Sequence, residues 1–211
     1  MQEGYLKRKR HAQTFTSHRC GFVVLNVNRH AGIGFDLSFS NETLNFEYLT
    51  PVRSFTRGKR GGQLESTGLL SFGAFYNELD DLVGHAKLVA VGNQTNTRVP
   101  YQLEFGVKGY VGSVEQEDTD VGALAIGGGI KVQFPATFNP IDFKVEGFFT
   151  PGITTFGDTS SLLEITARVS LEIVPAAQAF AGYRLLEVED DDTNNTLELD
   201  DNLHIGVRLQ F

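Results

Sequence analysis

The 211-residue sequence is poor in several residue types, and each shortage excludes a class of protein. Its single cysteine, Cys20, excludes an internal disulfide framework and any metal site built from several cysteines. Tryptophan is absent and proline occurs only six times, whereas glycine and phenylalanine occur 23 and 17 times. The formal net charge of −8 disfavours nucleic acid as a partner.

Long hydrophobic runs are also missing. No uncharged apolar stretch approaches the ~18 residues that a membrane-spanning helix needs, and the best of them, residues 173–183, contains Pro175. A transmembrane β-strand has no such run either, because its residues alternate between lipid and lumen. The residue pattern must therefore decide between a soluble and a membrane protein.

Apolar residues recur at every second position along most of the chain. In residues 163–173 every odd position is apolar, and the positions between are Glu164, Thr166, Arg168, Ser170 and Glu172. A strand places all of these polar residues on one face, whereas a helix would scatter them. Ten such segments, separated by turn-rich stretches, predict an all-β protein. We expect a ten-stranded up-and-down antiparallel transmembrane β-barrel over residues 31–211.

The two faces of the predicted strands differ in character. Charges in the middle of strands occupy the polar face, and we predict that they line a lumen: Lys108, Lys131, Lys144, Glu146, Glu164, Arg168, Glu172, Arg184 and Arg208. Aromatic residues near strand ends on the apolar face are typical of the girdles at membrane–water interfaces: Phe39, Tyr48, Tyr76, Tyr101, Phe134, Phe149 and Phe211. These patterns favour an apolar face in contact with lipid.

The last nine residues, "LHIGVRLQF", form the most specific short signal. At ~3.3 Å per residue they span ~30 Å, enough for the ~25 Å apolar band of an outer-membrane barrel when tilted. A strand that ends on an aromatic residue resembles the C-terminal signal of bacterial outer-membrane proteins, which the barrel-assembly machinery recognises. The expected partners are therefore that machinery, through the Phe211 strand, together with outer-membrane lipid and lipopolysaccharide.

Longer segments resemble the YfaZ family of Gram-negative outer-membrane proteins. The resemblance lies in "GFDLSFSNETLNFEY", "ALAIGGGIKVQFP", "VEGFFTPGITTFGD", "AFAGYRLLEVEDDD" and "LDDNLHIGVRLQF", and it covers roughly residues 31–211. It implies a small outer-membrane barrel of undefined physiological role, with no catalytic residues and no cofactor. Strand parity then places both termini in the periplasm.

Two segments depart from this family. Residues 1–30 carry six Lys and Arg residues against one acid, with no apolar core or cleavage site of a secretory signal. We interpret them as an atypical or miscalled start and expect them to be disordered or loosely attached. Residues 51–66 form a longer and more basic connection than the short periplasmic turn expected there. They are either a simple insertion or a segment that folds into the barrel mouth.

Three functions fit the pattern. A narrow pore for small solutes is favoured by the charged inward positions and by the inward glycines Gly106, Gly112, Gly127, Gly129 and Gly182. A plugged barrel, acting as an envelope scaffold or binding through its loops, is favoured by ion pairing between neighbouring strands and by the acidic 187–201 and basic 51–66 segments. A soluble ligand-binding barrel would bury the apolar face instead, since soluble barrels show the same alternation.

Metal binding and catalysis have weak signals. The acidic segment offers Asp190, Asp191, Asp192, Asp200 and Asp201 to a divalent cation, but it lacks the EF-hand spacing, so a solvated loop is the simpler interpretation. Catalysis at a rim would depend on His85 with Asp80 and Asp81, a combination that is common by chance. We therefore expect no enzyme activity, no metal and no cofactor.

Overall fold

The computed structural model describes residues 32–58, 63–94, 99–114, 119–134, 139–190 and 195–211. Residues 1–30 and the acids Asp191 and Asp192 lie outside these ranges. In the described residues no helix has both the length and the apolar character to cross a membrane. Their regular elements are the strands β1 Gly34–Phe39, β2 Thr43–Gly58, β3 Gln63–Asn77, β4 Leu82–Gln94, β5 Tyr101–Val114, β6 Thr119–Phe134, β7 Ile141–Phe149, β8 Thr155–Gly157, β9 Thr159–Val174, β10 Ala177–Asp190 and β11 Thr196–Gln210.

Ten of these strands close into one antiparallel barrel, as the alternation predicts. Each of the ten pairs with its neighbours in chain order, and β1 pairs with β11 to close the sheet, with Gly34 opposite Gln210. The short β8 lies between β7 and β9 in sequence and pairs with β6 beyond the end of β7. We call the end of the barrel that carries Gly34 and Gln210 the proximal end, and the opposite end the distal end.

The apolar face of the sheet is turned outward. On β9, Val169 is 48% exposed and Leu171 is 42% exposed, whereas the intervening Ser170 is buried. Phe211 is 77% exposed, whereas the Arg168 guanidinium lies inside the barrel against the buried Asp36. A soluble barrel with its apolar face inward is therefore the wrong interpretation, because the charged residues occupy the interior.

Two segments interpreted as connections are largely strand. Residues 51–58 and 63–66 extend β2 and β3, and the register shifts between Pro51 and Arg53. Such an irregularity accommodates a proline, which has no N–H for the ladder. Residues 187–190 and 196–201 likewise extend β10 and β11, with a shift between Leu186 and Glu187. Proline and clustered acids are typical of turns, so the sequence pattern predicted connections here instead of strand extensions.

Candidate functional site: the barrel lumen

The lumen is filled by charged side chains that form ion pairs. In the described part of the chain these pairs join seven bases to seven carboxylates. The bases are Lys87, Lys108, Lys131, Lys144, Arg168, Arg184 and Arg208, and the carboxylates are Asp36, Glu47, Glu104, Asp142, Glu146, Glu164 and Asp200. Because the numbers are equal, this set carries no net formal charge.

One group of ion pairs centres on Asp36, which is 2% exposed. Its Oδ1 accepts a hydrogen bond of 2.5 Å from Arg208 Nε, and its Oδ2 accepts one of 2.9 Å from Arg168 Nη1. The Arg168 guanidinium also lies 4.7 Å from the centre of the Phe180 ring, a favourable cation–π contact. This group ties β1 to β11, its neighbour, and to β9, which is two strands further around the barrel.

A second group crosses the lumen through lysines. Lys87 Nζ on β4 lies 3.3 Å from Glu47 Oε1 on β2 and 3.5 Å from Glu146 Oε2 on β7. Lys144 Nζ lies 2.9 Å from Glu146 Oε2 and 2.9 Å from Glu104 Oε2 on β5. The sequence predicted pairing between neighbouring strands, but these lysines also join strands that are not neighbours, because their side chains reach across the interior.

A third group lies closer to the distal end. Lys108 Nζ contacts Glu164 Oε2 at 2.5 Å, and the Tyr110 hydroxyl donates to the same oxygen. Arg184 Nε contacts Asp200 Oδ2 at 2.5 Å, between the neighbouring strands β10 and β11. The Lys108–Glu164 pair joins β5 to β9, so it too spans the lumen.

The predicted lumen residues are all on inward positions. Eight of the nine take part in these ion pairs, and the ninth, Glu172, is half-buried near the proximal end of β9, opposite Gln178. Six further members were not among the predicted lumen residues: Asp36, Glu47, Lys87, Glu104, Asp142 and Asp200. Alternation marks most of these positions as inward, and Asp200 lies in the segment interpreted as a loop.

Apolar side chains close the distal part of the lumen. Phe75, Val83, Val114, Val121, Leu162, Val188 and Leu199 are each at most 3% exposed and belong to one cluster, which we call the distal apolar cluster. They lie within a few residues of the distal connections and face inward. Sequence reasoning missed this cluster, because an inward apolar residue breaks the expected alternation of polar and apolar positions.

The inward glycines do not widen the lumen. A Cβ at Gly127 would lie 2.7 Å from Phe148 Cδ1, and a Cβ at Gly182 would lie 2.8 Å from His204 Nε2. Likewise, Val83 lies against Gly112, Glu146 against Gly129 and the backbone of Val89 against Gly106. These glycines therefore make room for neighbouring side chains and backbone, and the prediction that they leave room for a solute is wrong.

A small polar cavity remains in the middle of the lumen. Its volume is about 40 Å³, and its lining includes Asp36, Glu47, Lys87, Glu164, His85 and His204. At roughly 10–15 Å³ for each water, it has room for a few waters only. Among the described residues, no group of three or more His, Cys, Asp and Glu side chains is arranged to hold a metal ion.

The three residues considered for catalysis are divided between the rim and the lumen. Asp80 accepts a hydrogen bond from the Tyr76 hydroxyl, and Asp81 Oδ2 accepts one of 2.7 Å from Asn77 Nδ2 in the turn after β3. His85 instead lines the lumen cavity, with its ring centre 6.4 Å from that of Tyr110.

The predicted aromatic residues lie on the outer face, but not all of them lie at strand ends. Tyr101, Phe134 and Phe211 lie near the proximal end, whereas Phe39, Tyr76 and Phe149 end or nearly end strands that run toward the distal end. Tyr48 is the exception, because β2 continues to Gly58, and its ring packs 5.2 Å from Phe35. The interfacial role of these residues stays a prediction.

A closed antiparallel barrel with an apolar outer face and a charged interior is a β-barrel of the outer-membrane type. The sequence model of the family described as "YfaZ precursor" matches residues 40–211, so the chain belongs to the YfaZ family and is an outer-membrane barrel protein. A solved structure described as "NanC porin structure in rhombohedral crystal form" is similar over 85% of this chain and 98% of that chain, with 10% identity and a TM-score of 0.38. No curated protein sequence matches the chain.

Proposed function

We propose that the protein is a plugged barrel that serves the outer membrane as a scaffold, through its outer surface and its connections, and does not conduct solutes. The observation that carries this proposal is the double closure of the lumen. Ion pairs such as Lys87–Glu146 and Lys108–Glu164 cross its middle, and the distal apolar cluster fills the part beyond them. The remaining cavity of about 40 Å³ is too small for a sugar or an amino acid.

The energetics of the ion pairs support a stable plug. Lys108, Glu164 and Lys87 are each at most 6% exposed, so a solute that parted them would leave charges without partners in a poorly solvated interior. Removing one partner of a buried pair typically costs about 3–5 kcal/mol, and several pairs would have to open together.

A narrow pore is the second candidate function, and the charged lining favours it. Recording from planar bilayers distinguishes the two. We expect no single-channel conductance from the wild-type barrel and measurable conductance from a variant with Lys108→Ser, Glu164→Ser and Leu162→Ser, which removes one crossing pair and one member of the distal apolar cluster. A matched variant with Glu172→Ser, Gln178→Ser and Leu171→Ser should stay silent. Regular openings of the wild-type protein would contradict the plug.

We also propose that the assembly machinery recognises β11 through Phe211, the residue that follows this strand. Phe211 is 77% exposed, and its ring meets the Phe35 ring edge-on at 6.3 Å, next to the seam where β1 closes on β11. We expect Phe211→Ser to slow assembly into vesicles that contain the machinery, and Phe134→Ser, at another exposed strand end, to have little effect. Equal rates for the two variants would contradict this role.

The proposed orientation places both termini in the periplasm and the distal end at the cell surface, where lipopolysaccharide is the expected neighbour. The described proximal connection between β9 and β10 is only two residues long, as is typical of periplasmic turns. An epitope inserted between residues 191 and 194 should bind antibody on intact cells. Binding only after permeabilisation would reverse the orientation.

Finally, we propose that the barrel is not an enzyme. The supporting observation is the placement of His85 in the closed lumen, whereas Asp80 and Asp81 lie at the rim in bonds to Tyr76 and Asn77. Peptidase and esterase assays on the purified barrel should give the same background rate with wild type and with His85→Gln. A rate above background that His85→Gln abolishes would contradict the proposal.

A further inference from the structure

The lumen cavity receives side chains from eight of the ten barrel strands. They include Asn45 and Glu47 from β2, Glu146 from β7 and Glu164 from β9. The cavity lies where the three groups of ion pairs meet, with the distal apolar cluster beyond it. We infer that this cavity is a binding site for a cluster of about three long-lived water molecules, at roughly 10–15 Å³ each.

Some hydrogen-bond acceptors in the cavity lining have no donor among the neighbouring side chains. Asn45 Oδ1 and Glu47 Oε1 are buried and form no hydrogen bond with any group in the described residues. Glu47 Oε1 lies 3.3 Å from Lys87 Nζ, an ion pair without hydrogen-bond geometry, whereas Glu146 Oε2 already has Lys144 Nζ at 2.9 Å. Buried polar atoms are almost always satisfied by protein or ordered water, and empty cavities are typically apolar.

The balance of charge favours water over a cation. The charged groups of the lining are four bases (Lys87, Lys108, Arg168 and Arg184) and four carboxylates (Asp36, Glu47, Glu146 and Glu164). Each of these carboxylates already has a cationic partner. A bound Na⁺ or K⁺ would therefore add an uncompensated charge to a poorly solvated interior, whereas water supplies two donors and no charge.

The closure of the lumen determines how long these waters stay. The distal apolar cluster closes one side of the cavity and buried ion pairs surround it, so we expect exchange with bulk water to require movement of these side chains. The waters should therefore remain bound for longer than the barrel takes to tumble in a detergent micelle. In an open channel, by contrast, water would exchange too quickly to be counted as bound.

Magnetic relaxation dispersion of ¹⁷O water counts such molecules on the full-length protein in micelles. We expect about three long-lived waters in the wild type, at least one fewer in Asn45→Leu, and no change in Asn202→Leu. Asn202 serves as the matched control because its side chain donates to Glu42 Oε2 at 2.9 Å, at the distal turn.

A crystal grown with Rb⁺ provides a second measurement that needs no variant. Anomalous scattering from the cavity would show a cation and would overturn the inference, as would the absence of long-lived waters in the wild type or an unchanged count in Asn45→Leu. If planar bilayers show no single-channel conductance and no long-lived water is found, the proposed water site is wrong and the plugged barrel is still supported.

Discussion

At the scale of single residues, the stability of the interior depends on buried charges that each need an oppositely charged partner. Asp36 shows the principle, because two arginines converge on one carboxylate that is 2% exposed. A buried charge is tolerated only when it is paired and hydrogen-bonded. Each arginine therefore needs this carboxylate, and the folded barrel is sensitive to its loss.

Asp36→Asn should destabilise the barrel strongly. The amide keeps the shape of the side chain but leaves Arg168 and Arg208 without their counter-charge, which should lower the free energy of unfolding by about 3–5 kcal/mol. Urea unfolding in micelles, followed by far-UV circular dichroism because tryptophan is absent, measures the change.

Two comparisons test the reason for that loss. Asp80→Asn, at the exposed rim, should have little effect, and adding Arg168→Met to Asp36→Asn should restore part of the lost stability. If Asp36→Asn were as mild as Asp80→Asn, the buried carboxylate would not be essential.

Gly127→Ala tests the close packing of side chains over the inward glycines. A Cβ there would lie 2.7 Å from both Cα and Cδ1 of Phe148, so β6 or β7 would have to shift. We expect a loss of about 1–3 kcal/mol. At Gly92 the nearest atom to a new Cβ would be Leu103 O, 4.0 Å away, so Gly92→Ala should be neutral or slightly stabilising. If Gly127→Ala and Gly92→Ala unfolded at the same temperature in heat-modifiability gels, the side chains over the inward glycines would not be closely packed.

Sequence alone located the charged residues of the lumen but not their partners. Alternation places Arg168 and Lys144 on the inward face, because each lies between outward apolar neighbours. The partner of Arg168, Asp36, lies 132 positions away along the chain. Contacts across the lumen depend on the closure of the barrel and on the reach of each side chain, and neither is visible in the local pattern.

At the scale of strands, alternation is a reliable guide only where one face is apolar and the other polar. It predicted β9, whose outward Val169 and Leu171 flank Ser170. It missed the distal apolar cluster on β6, where inward Val121 and outward Leu124 are both apolar. Pro51 and the acids near Asp190 are typical of turns, so the extensions of β2 and β10 were also missed.

A charge on the outer face of β9 should cost stability according to its depth. Val169 lies in the middle of a 16-residue strand and is 48% exposed, so Val169→Arg places a charge deep in the lipid. We expect a loss of about 2–4 kcal/mol in vesicles. Val111→Arg, three residues from the distal end of β5, should cost about 0–1 kcal/mol. Equal losses would show that the two positions share one environment.

At the scale of the whole molecule, the barrel is the inverse of a soluble one. Its outer face presents large apolar residues such as Phe105, Leu203 and Phe211 at more than 70% exposure, and its interior holds paired charges. Lipid covers the apolar side chains of the outer face, and the ion pairs compensate the charges of the inner face. The same arrangement explains why the chain needs no long hydrophobic run and why its lumen is closed.

Cysteine reactivity along β9 in lipid vesicles tests this arrangement most directly. In a Cys20→Ser background, Val169→Cys and Leu171→Cys should react with an apolar maleimide dissolved in the bilayer and resist a charged, water-soluble thiosulfonate. Thr166→Cys and Ser170→Cys should resist both reagents, while Ser113→Cys at the rim reacts with the thiosulfonate. Thiosulfonate modification of the inward positions would show an open, water-filled lumen, and its reaction with the outward positions would contradict a barrel surrounded by lipid.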